Sequence, residues 1–237
     1  MKKILITNDD GIKASGIIRL AKAAQKYGEV WVVAPECQRS AASHSITLHG
    51  SVDVHKSEFE ISGVNAFYTT GTPCDCIRLG VLNIMPEKPD IVLSGINYGY
   101  NAGSDVQYSA TVGAAMEAIF QKIPAVAFSE GTDDGYIITD MYIDKVLAEV
   151  INKAVGHDEI INVNFPTCKP EELQGVLWDR FVSKGCIFRD RYNSVDLSDG
   201  GKRYTVEGIY NEDVEEGSDL RALFDKNISI GTVKNLG

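Results

Sequence analysis

The sequence predicts an α/β fold with a mostly parallel sheet. Patterns typical of strands and helices alternate through the first two thirds of the chain, as they do where helices connect parallel strands. The first apolar run, Lys3 to Thr7, leads directly into the acidic segment Asn8 to Gly11. In an open α/β sheet ligands bind at the carboxyl ends of the strands, so the acidic segment lies where a site is expected.

Two adjacent carboxylates, Asp9 and Asp10, stand at the end of this first strand. Paired hard oxygen ligands suit Mg²⁺ or Mn²⁺, which in turn suit phosphate. The alternative is a turn that caps the following helix, because Asn, Asp and Gly are all turn and N-cap residues. Capping explains one aspartate but not two.

The first helix and the second strand follow in order. Apolar residues recur near helical spacing from Ile17 to Tyr27, and Gly28 ends the pattern. The run Val30 to Ala34 predicts a buried strand that leads into a small and polar loop, Pro35 to Ser45. Loops at this edge of a sheet carry function more often than packing.

A third and a fourth strand are predicted near Phe67 to Thr70 and at Asp90 to Ser94. Between them, Thr72 as N-cap and Pro73 at the first helical position predict a helix. The fourth strand opens into the segment Gly95 to Asp105, where three glycines and two asparagines permit left-handed backbone and close approach to a ligand.

A helix rich in small residues begins near Ser109. Its free N–H groups and positive dipole end suit a phosphate, and the hydroxyls of Ser109 and Thr111 add donors. The alternative, that Ser109 is an N-cap and small residues allow tight packing, is compatible with anion binding. The chain contains neither GxxxxGK[ST] nor GxGxxG, so the sequence gives no support for a P-loop or dinucleotide-binding enzyme.

Three further elements complete a core that we place at residues 1–170. They are a strand at Pro124 to Phe128, an amphipathic helix at Ile138 to Ala154 and a strand at Ile160 to Pro166. Residues 171–237 then form a C-terminal extension that returns to the core.

The extension contains alternating, charged segments from Arg189 to Tyr210, which predict a long β-hairpin. Such an arm has too little local apolar area to be stable alone. A neighbouring subunit could cover it, so we expect the arm to take part in oligomerisation by strand exchange.

Composition excludes several function classes. The formal net charge is −10 and no cluster of Lys and Arg is visible, which argues against binding to a nucleic-acid duplex or an anionic membrane surface. The apolar runs are too short for a membrane helix or a signal peptide, so we expect a cytoplasmic protein. Five scattered cysteines and four histidines match no disulfide framework or zinc motif.

Six motifs in order carry a family resemblance over nearly the whole chain. They are Ile6 to Gly11, Ala34 to Ser40, Gly71 to Asp75, Ser94 to Asn101, Tyr108 to Ala115 and Asn162 to Pro166. With these motifs the chain resembles the SurE family, the stationary-phase survival proteins, which are metal-dependent nucleotidases. The sequence departs from the family at Ala41, where many members have glycine, and at Ser218-Asp219, which replaces a usual Thr-Asp.

The resemblance implies a doubly wound, Rossmann-like core and a homodimer or homotetramer with a swapped C-terminal arm. It also implies one divalent cation per subunit, Mg²⁺ or Mn²⁺, held by Asp9, Asp10, Ser40 and Asn97. The implied activity is that of a 5'-nucleotidase, which hydrolyses nucleoside monophosphates to nucleoside and phosphate. Activity on 3'-nucleotides and short polyphosphate stays open.

The predicted catalytic residues are Asp9 and Asp10. With two neutral ligands, only two negative charges offset the 2+ ion, which leaves positive charge for a phosphate dianion. Asn101, Ser109 and Thr111 are the predicted substrate-binding residues, which would stabilise the transition state electrostatically. The general base is open: Asp10 could orient the water, and His44 could protonate a leaving alkoxide.

A non-catalytic alternative is a Mg²⁺-binding, receiver-like signalling module, which also places an acidic pair after the first strand. It would need a phosphoacceptor aspartate closing the third strand, whereas Asp53 lies in a polar segment, Ser51 to Lys56. The aspartyl-phosphate phosphatases would need Asp-x-Asp after the first strand, and Asp9-Asp10 has the wrong spacing.

Overall fold

A nine-stranded, mostly parallel sheet forms the centre of the computed structural model, which describes residues 1–153 and 158–235. The strands of the chain are β1 (Lys2–Thr7), β2 (Gly28–Pro35), β3 (Val54–Lys56), β4 (Asn65–Thr69), β5 (Ile91–Tyr98), β6 (Ala125–Glu130), β7 (Glu159–Phe165), β8 (Gly175–Arg180), β9 (Phe188–Asp196), β10 (Lys202–Tyr210) and β11 (Asn227–Lys234). The sheet order is β3-β4-β2-β1-β5-β6-β7-β11-β8, and neighbours are parallel except at β3/β4 and β7/β11.

Helices cover both faces of the sheet, which confirms the doubly wound α/β class. The helices are α1 (Ser15–Ala24), α2 (Pro73–Leu79), α3 (Ala110–Phe120), α4 (Tyr136–Val150) and α5 (Asp219–Phe224). One buried apolar cluster joins α1 and α4 to the sheet, and a second cluster joins α2 and α3 to the sheet. Among the described residues, no helix has both the length and the apolar character needed to cross a membrane.

Local capping signals place two of these helices where the sequence predicts them. Thr72 accepts from the backbone of Asp75 at 3.1 Å, and Asp75 accepts in return from the backbone of Thr72 at 3.0 Å, a complete capping box. Ser109 caps α3. The helix predicted from Ile138 begins two residues earlier and ends at Val150, while its predicted end, Ala154, lies outside the described residues.

Four elements were absent from the sequence prediction: β3, β8, α5 and β11. The edge strand β3 lies inside the polar segment Ser51 to Lys56 and pairs with β4. Strands β8 and β11 belong to the main sheet, although they follow residue 170. The division into residues 1–170 and 171–237 stays a prediction.

The predicted hairpin is formed by β9 and β10, which pair in register from Asp196 opposite Lys202 to Phe188 opposite Tyr210. Every residue of both strands is exposed. The exposed large side chains on it are Phe188, Tyr192, Val195, Tyr204, Val206, Ile209 and Tyr210. The hairpin therefore carries exposed apolar side chains among charged ones, outside the core of this chain.

Candidate metal and phosphate site

The site lies where the strand order reverses. The chain runs from β1 outward to β2 and β4, then crosses to the other side of β1 and continues through β5, β6 and β7. In such sheets the loops after the two strands at the reversal diverge and leave a crevice for ligands. Here those loops are Asn8 to Gly11 after β1 and Gly99 to Ser109 after β5.

The turn after β1 is fixed by the side chain of Asn8. Its Nδ2 donates to the carbonyl of Gly11 at 2.9 Å, and its Oδ1 accepts from the backbone N–H of Gly11 at 3.2 Å. Gly11 has a φ of +100°, which favours glycine. The next helix, α1, has Ala14 at its N-cap and no side-chain cap, so the hypothesis that an aspartate of this turn caps that helix is wrong.

Asp9 is buried, with 4% of its surface exposed, and accepts a hydrogen bond from the hydroxyl of Thr111 on α3. Burial raises the pKa of Asp9 from 3.8 to about 6; the Thr111 bond opposes this rise and the neighbouring Asp10 adds to it. The surroundings of Asp9 therefore stabilise its negative charge poorly, and a bound cation would supply a compensating positive charge.

Asp10 is less buried and is held by the end of β5 and by the loop after β2. Its Oδ2 accepts from the backbone N–H of Tyr98 at 3.1 Å, and its Oδ1 accepts from Gln38 Nε2 at 3.3 Å. Burial raises the pKa of Asp10 in spite of these bonds. The two carboxylates thus share a site that disfavours their charged forms.

The loop after β2 brings Ser40 to the same edge. The backbone N–H of Arg39 donates to the carbonyl of Asp9 at 2.7 Å, and the guanidinium of Arg39 donates to the carbonyl of Thr70 at 2.9 Å. Ser40 itself is exposed on the rim. The next residue, Ala41, has a φ of 57°, in the left-handed region that favours glycine, which gives a physical reason for the glycine that many family members have there.

Asn97 is half-buried near the end of β5, after a register irregularity between Ser94 and Asn97. Its amide nitrogen donates to the carbonyl of Gly99 at 2.8 Å. Because this bond uses the amide nitrogen of Asn97, its Oδ1 stays available as an oxygen ligand for a cation.

Asn101 is fixed by a buried polar network. Its backbone N–H donates to Asn164 Oδ1 at 2.8 Å, and its side-chain amide donates to Ser129 Oγ at 2.8 Å. Its carbonyl accepts from the amides of Asn162 at 2.8 Å and Asn164 at 3.1 Å. The asparagines of the motif that ends β7 therefore anchor the loop after β5.

Ser109 and Thr111 lie at the N-terminus of α3. Ser109 Oγ accepts from the backbone N–H of Val112 at 3.1 Å, so the capping interpretation is correct. The hydroxyl of Thr111 donates to Asp9, so its proton is directed at a carboxylate. The substrate-binding roles of Asn101, Ser109 and Thr111 stay predictions.

One cleft gathers most of the predicted site residues. Five of the seven line it: Asp9, Ser40, Asn97, Asn101 and Ser109. Of the other two, Asp10 follows Asp9 in the sequence, and Thr111 donates a hydrogen bond to Asp9. Sequence reasoning missed Asp105, a second carboxylate that lines this cleft beside Asp9. Burial and the nearby Asp190 of β9 raise the pKa of Asp105. Its position at the end of the glycine-rich segment, Gly95 to Asp105, could have identified Asp105 as a candidate site residue.

His44 contacts α3. Its Nε2 lies 3.0 Å from an oxygen of the buried Glu117, which also accepts from Arg78 at 3.3 Å. His44 lines a neighbouring cavity that shares Ser109 with the cleft. Its proposed role as a proton donor stays a prediction.

The donor set of the cleft differs from the His- and Cys-rich sets that hold Zn²⁺. Across residues 1–153 and 158–235, His, Cys, Asp and Glu side chains form no group of three or more that could hold a metal ion. A cation in this cleft would therefore need neutral oxygen ligands beside the two aspartates, and Ser40 and Asn97 supply such oxygens.

Comparisons with known proteins agree on one family. The model of the family described as survival protein SurE matches residues 4–186. The chain is 37% identical over 231 residues to the 5'-nucleotidase SurE of Clostridium botulinum (strain ATCC 19397 / Type A), covering 96% of this chain and 90% of that protein. It is 39% identical over 234 residues to the 5'-nucleotidase SurE of Pelobacter propionicus, covering 96% of this chain and 91% of that protein.

A solved structure agrees as well. The crystal structure of the SurE protein from Aquifex aeolicus superposes with a TM-score of 0.84 at 31% sequence identity, covering 99% of this chain and 94% of that one. Sequence and fold therefore match along nearly the whole chain. The chain belongs to the SurE family, whose curated members named above are 5'-nucleotidases.

Proposed function

We propose that this chain hydrolyses nucleoside 5'-monophosphates to nucleoside and phosphate with one divalent cation, Mg²⁺ or Mn²⁺, per subunit. The observation that carries the proposal is the convergence of Asp9, Ser40, Asn97, Asn101 and Ser109 on one cleft at the reversal of strand order. The names of the curated relatives support the nucleotidase activity.

Asp9, Asp10, Ser40 and Asn97 would hold the cation. Their oxygens are the hard ligands that Mg²⁺ and Mn²⁺ take, and burial of the two carboxylates leaves their charge in need of a positive partner. When bound, the cation supplies positive charge for a phosphate and lowers the pKa of a coordinated water. Two carboxylates and two neutral ligands keep part of its charge available to the substrate.

The residues around the carboxylates do the positioning. The side chain of Asn8 fixes the turn after β1, and the hydroxyl of Thr111 fixes the side chain of Asp9. The backbone N–H of Tyr98 fixes the side chain of Asp10. Asp10, being less buried, is the group we assign to orient the attacking water.

The phosphate would lie against the N-terminus of α3. This helix has 11 residues and begins at the cleft, so its first backbone N–H groups and its dipole favour an anion there. Asn101 and Ser109 line the same cleft and would hold the remaining phosphate oxygens. These contacts recognise phosphate rather than a base, so 3'-monophosphates and short polyphosphate belong among the substrates to test.

The experiment is phosphate release from a panel of nucleoside 5'- and 3'-monophosphates and short polyphosphate. Metal-stripped protein is assayed before and after addition of Mg²⁺ or Mn²⁺. We expect metal to restore release from 5'-monophosphates, and Asp9→Asn to reduce kcat by at least about 100-fold, because this carboxylate would anchor the cation. Asp53→Asn, which removes the same charge from an exposed position, is the matched control.

Three results would contradict the proposal. One is equal phosphate release in the stripped and the metal-loaded protein. Another is full activity of Asp9→Asn with added metal. The third is absence of release from any nucleotide, which would move the assignment to a non-catalytic metal-binding role.

We also propose that the chain assembles as a homodimer or homotetramer through exchange of the hairpin arm. The support is the row of exposed aromatic and branched side chains on β9 and β10, which a monomer leaves in water. Deletion of residues 190–210 should reduce the mass found by light scattering to that of an assembly with fewer subunits. An unchanged number of subunits after the deletion would refute the arm exchange.

A further inference from the structure

One buried carboxylate outside the proposed chemistry, Asp219, joins two distant segments. It is the first residue of α5 and is 4% exposed. Its Oδ2 accepts from the backbone N–H of Gly103 at 2.9 Å, and its Oδ1 accepts from the backbone N–H of Ser183 at 2.9 Å. Its own backbone N–H donates to the carbonyl of Phe181 at 2.9 Å. A single side chain thus holds residues 99–109, here called the cleft loop, against residues 181–187, here called the arm root.

The two segments also touch directly. The backbone N–H of Ser104 donates to the carbonyl of Gly185 at 2.8 Å. Gly103 has a φ of +57°, and a Cβ placed on it would lie 2.6 Å from the carbonyl oxygen of Gly185 and 2.6 Å from a methyl group of Leu220. The contact therefore leaves no room for a side chain between the cleft loop and the arm root.

A small apolar cluster seals the same junction. Ala102 of the cleft loop, Ile187 of the arm root and Leu220 and Leu223 of α5 are buried together. Ile187 immediately precedes β9, the first strand of the arm. The arm is thus attached to the core at the point where the cleft loop is fastened.

Six residues of the cleft loop line the proposed active site, among them Asn101, Asp105 and Ser109. We propose that Asp219 is a positioning residue for this site. Because its carboxylate binds both segments, the cleft loop and the arm root move together. The geometry of the cleft therefore depends on the position of the arm. The inference rests on the proposed function for its activity readout. It gives a role to the Ser218-Asp219 pair that the sequence singled out.

The test is Asp219→Asn in the full chain. The amide turns one acceptor oxygen into an N–H donor that faces a backbone N–H, so a bond to Gly103 or to Ser183 is lost. We expect faster hydrogen exchange in residues 100–107 and in 181–187 together. We also expect kcat/KM for a nucleoside monophosphate to fall by about tenfold or more, because small displacements at a reacting site are costly.

The affinity for Mn²⁺, measured by calorimetry, should stay unchanged, because the proposed metal ligands lie outside residues 100–107. General loosening of the fold would weaken both metal and substrate binding. The matched control is Asp225→Asn, which removes a carboxylate from the end of α5, where it pairs with Arg221. It should leave both the exchange of the cleft loop and kcat/KM unaltered.

Gly103→Ala is a second variant, in case Asp219→Asn does not fold. The added methyl group would collide with the carbonyl of Gly185 and push the cleft loop away from the arm root. Hydrogen exchange should therefore become faster in both segments, and kcat/KM should fall as in Asp219→Asn. The proposal is overturned if exchange rises in only one of the two segments, or if kcat/KM is unchanged in both variants. If the wild type releases no phosphate, the proposed function fails, and the exchange pattern alone decides whether the two segments are coupled.

Discussion

The burial of Asp9 makes a quantitative prediction about stability. In the metal-free protein, Asp9→Asn should fold more stably than the wild type at pH 7.5, although it removes a residue of the proposed active site. The reason is that water solvates the carboxylate in the unfolded chain, whereas the folded protein buries it beside Asp10. The amide of an asparagine keeps an acceptor oxygen for Thr111 and carries no charge.

The magnitude follows from the pKa of Asp9. Its rise from 3.8 to about 6 corresponds to a cost of about 3 kcal/mol for the charged form, at 1.36 kcal/mol for each pH unit. This is an upper value for the gain in the variant, because an amide still has to be desolvated. For a protein of this size, each 1 kcal/mol moves the melting temperature by about 2–4 °C.

The sign of the pH dependence is also determined. A carboxyl whose pKa is raised by folding destabilises the folded state only when it is charged, so stability is lost as the pH rises from 3.8 to about 6. The advantage of Asp9→Asn should therefore vanish below pH 4 and reach its full value above pH 6.

The assay is chemical denaturation in EDTA at several pH values, with Asp53→Asn as the exposed control. The exposed control should leave the free energy of unfolding nearly unchanged. A variant that is no more stable than the wild type at pH 7.5, or a difference that does not depend on pH, would refute the argument that burial of this charge costs folding energy.

Two further predictions concern Asp75 in the first turn of α2 and Ala41 in the loop after β2. Burial alone would raise the pKa of Asp75, but hydrogen bonds from Thr47 and Thr72 outweigh it and lower the pKa from 3.8; Asp75→Asn should therefore cost about 1–2 kcal/mol at pH 7. That difference should shrink as the pH falls below 3.8, and a constant difference in urea unfolding would contradict it. Ala41→Gly should raise the free energy of unfolding by up to about 1 kcal/mol, because Ala41 has a positive φ. A loss of stability, measured in the same way, would show that the strain lies elsewhere.

Local signals made much of the fold predictable. Thr72 and Ser109 predict helix starts because their side chains can cap a helix, and both caps form as expected. Strand β11 was absent from the prediction, and the alternation of Asn227 and Ser229 with Ile228 is the pattern of a strand with one exposed face. Both polar residues are buried, since the strand lies inside the sheet between β7 and β8. Such burial depends on pairing with strands that are distant in sequence.

The site was predictable to the extent that it follows strand ends. Asp9 and Asn97 lie at the carboxyl ends of neighbouring parallel strands, so the sheet alone brings them together. The hydrogen bond from Thr111 to Asp9 joins residues 102 positions apart and depends on how α3 packs. The bridge formed by Asp219 depends on a late segment returning to the sheet, which no local pattern shows.

The charges of the cleft constrain the order of events in the proposed reaction. Burial raises the pKa of each of the three carboxylates at the cleft, Asp9, Asp10 and Asp105, so each is charged at a cost. A phosphate dianion that enters such a cleft meets like charges in a setting where screening by water is weak. The N-terminus of α3 offers only about half a positive charge against them. On the proposed function we therefore expect a cation to bind before the nucleotide, and relief of the cost of charging the buried Asp9 would favour binding of that cation.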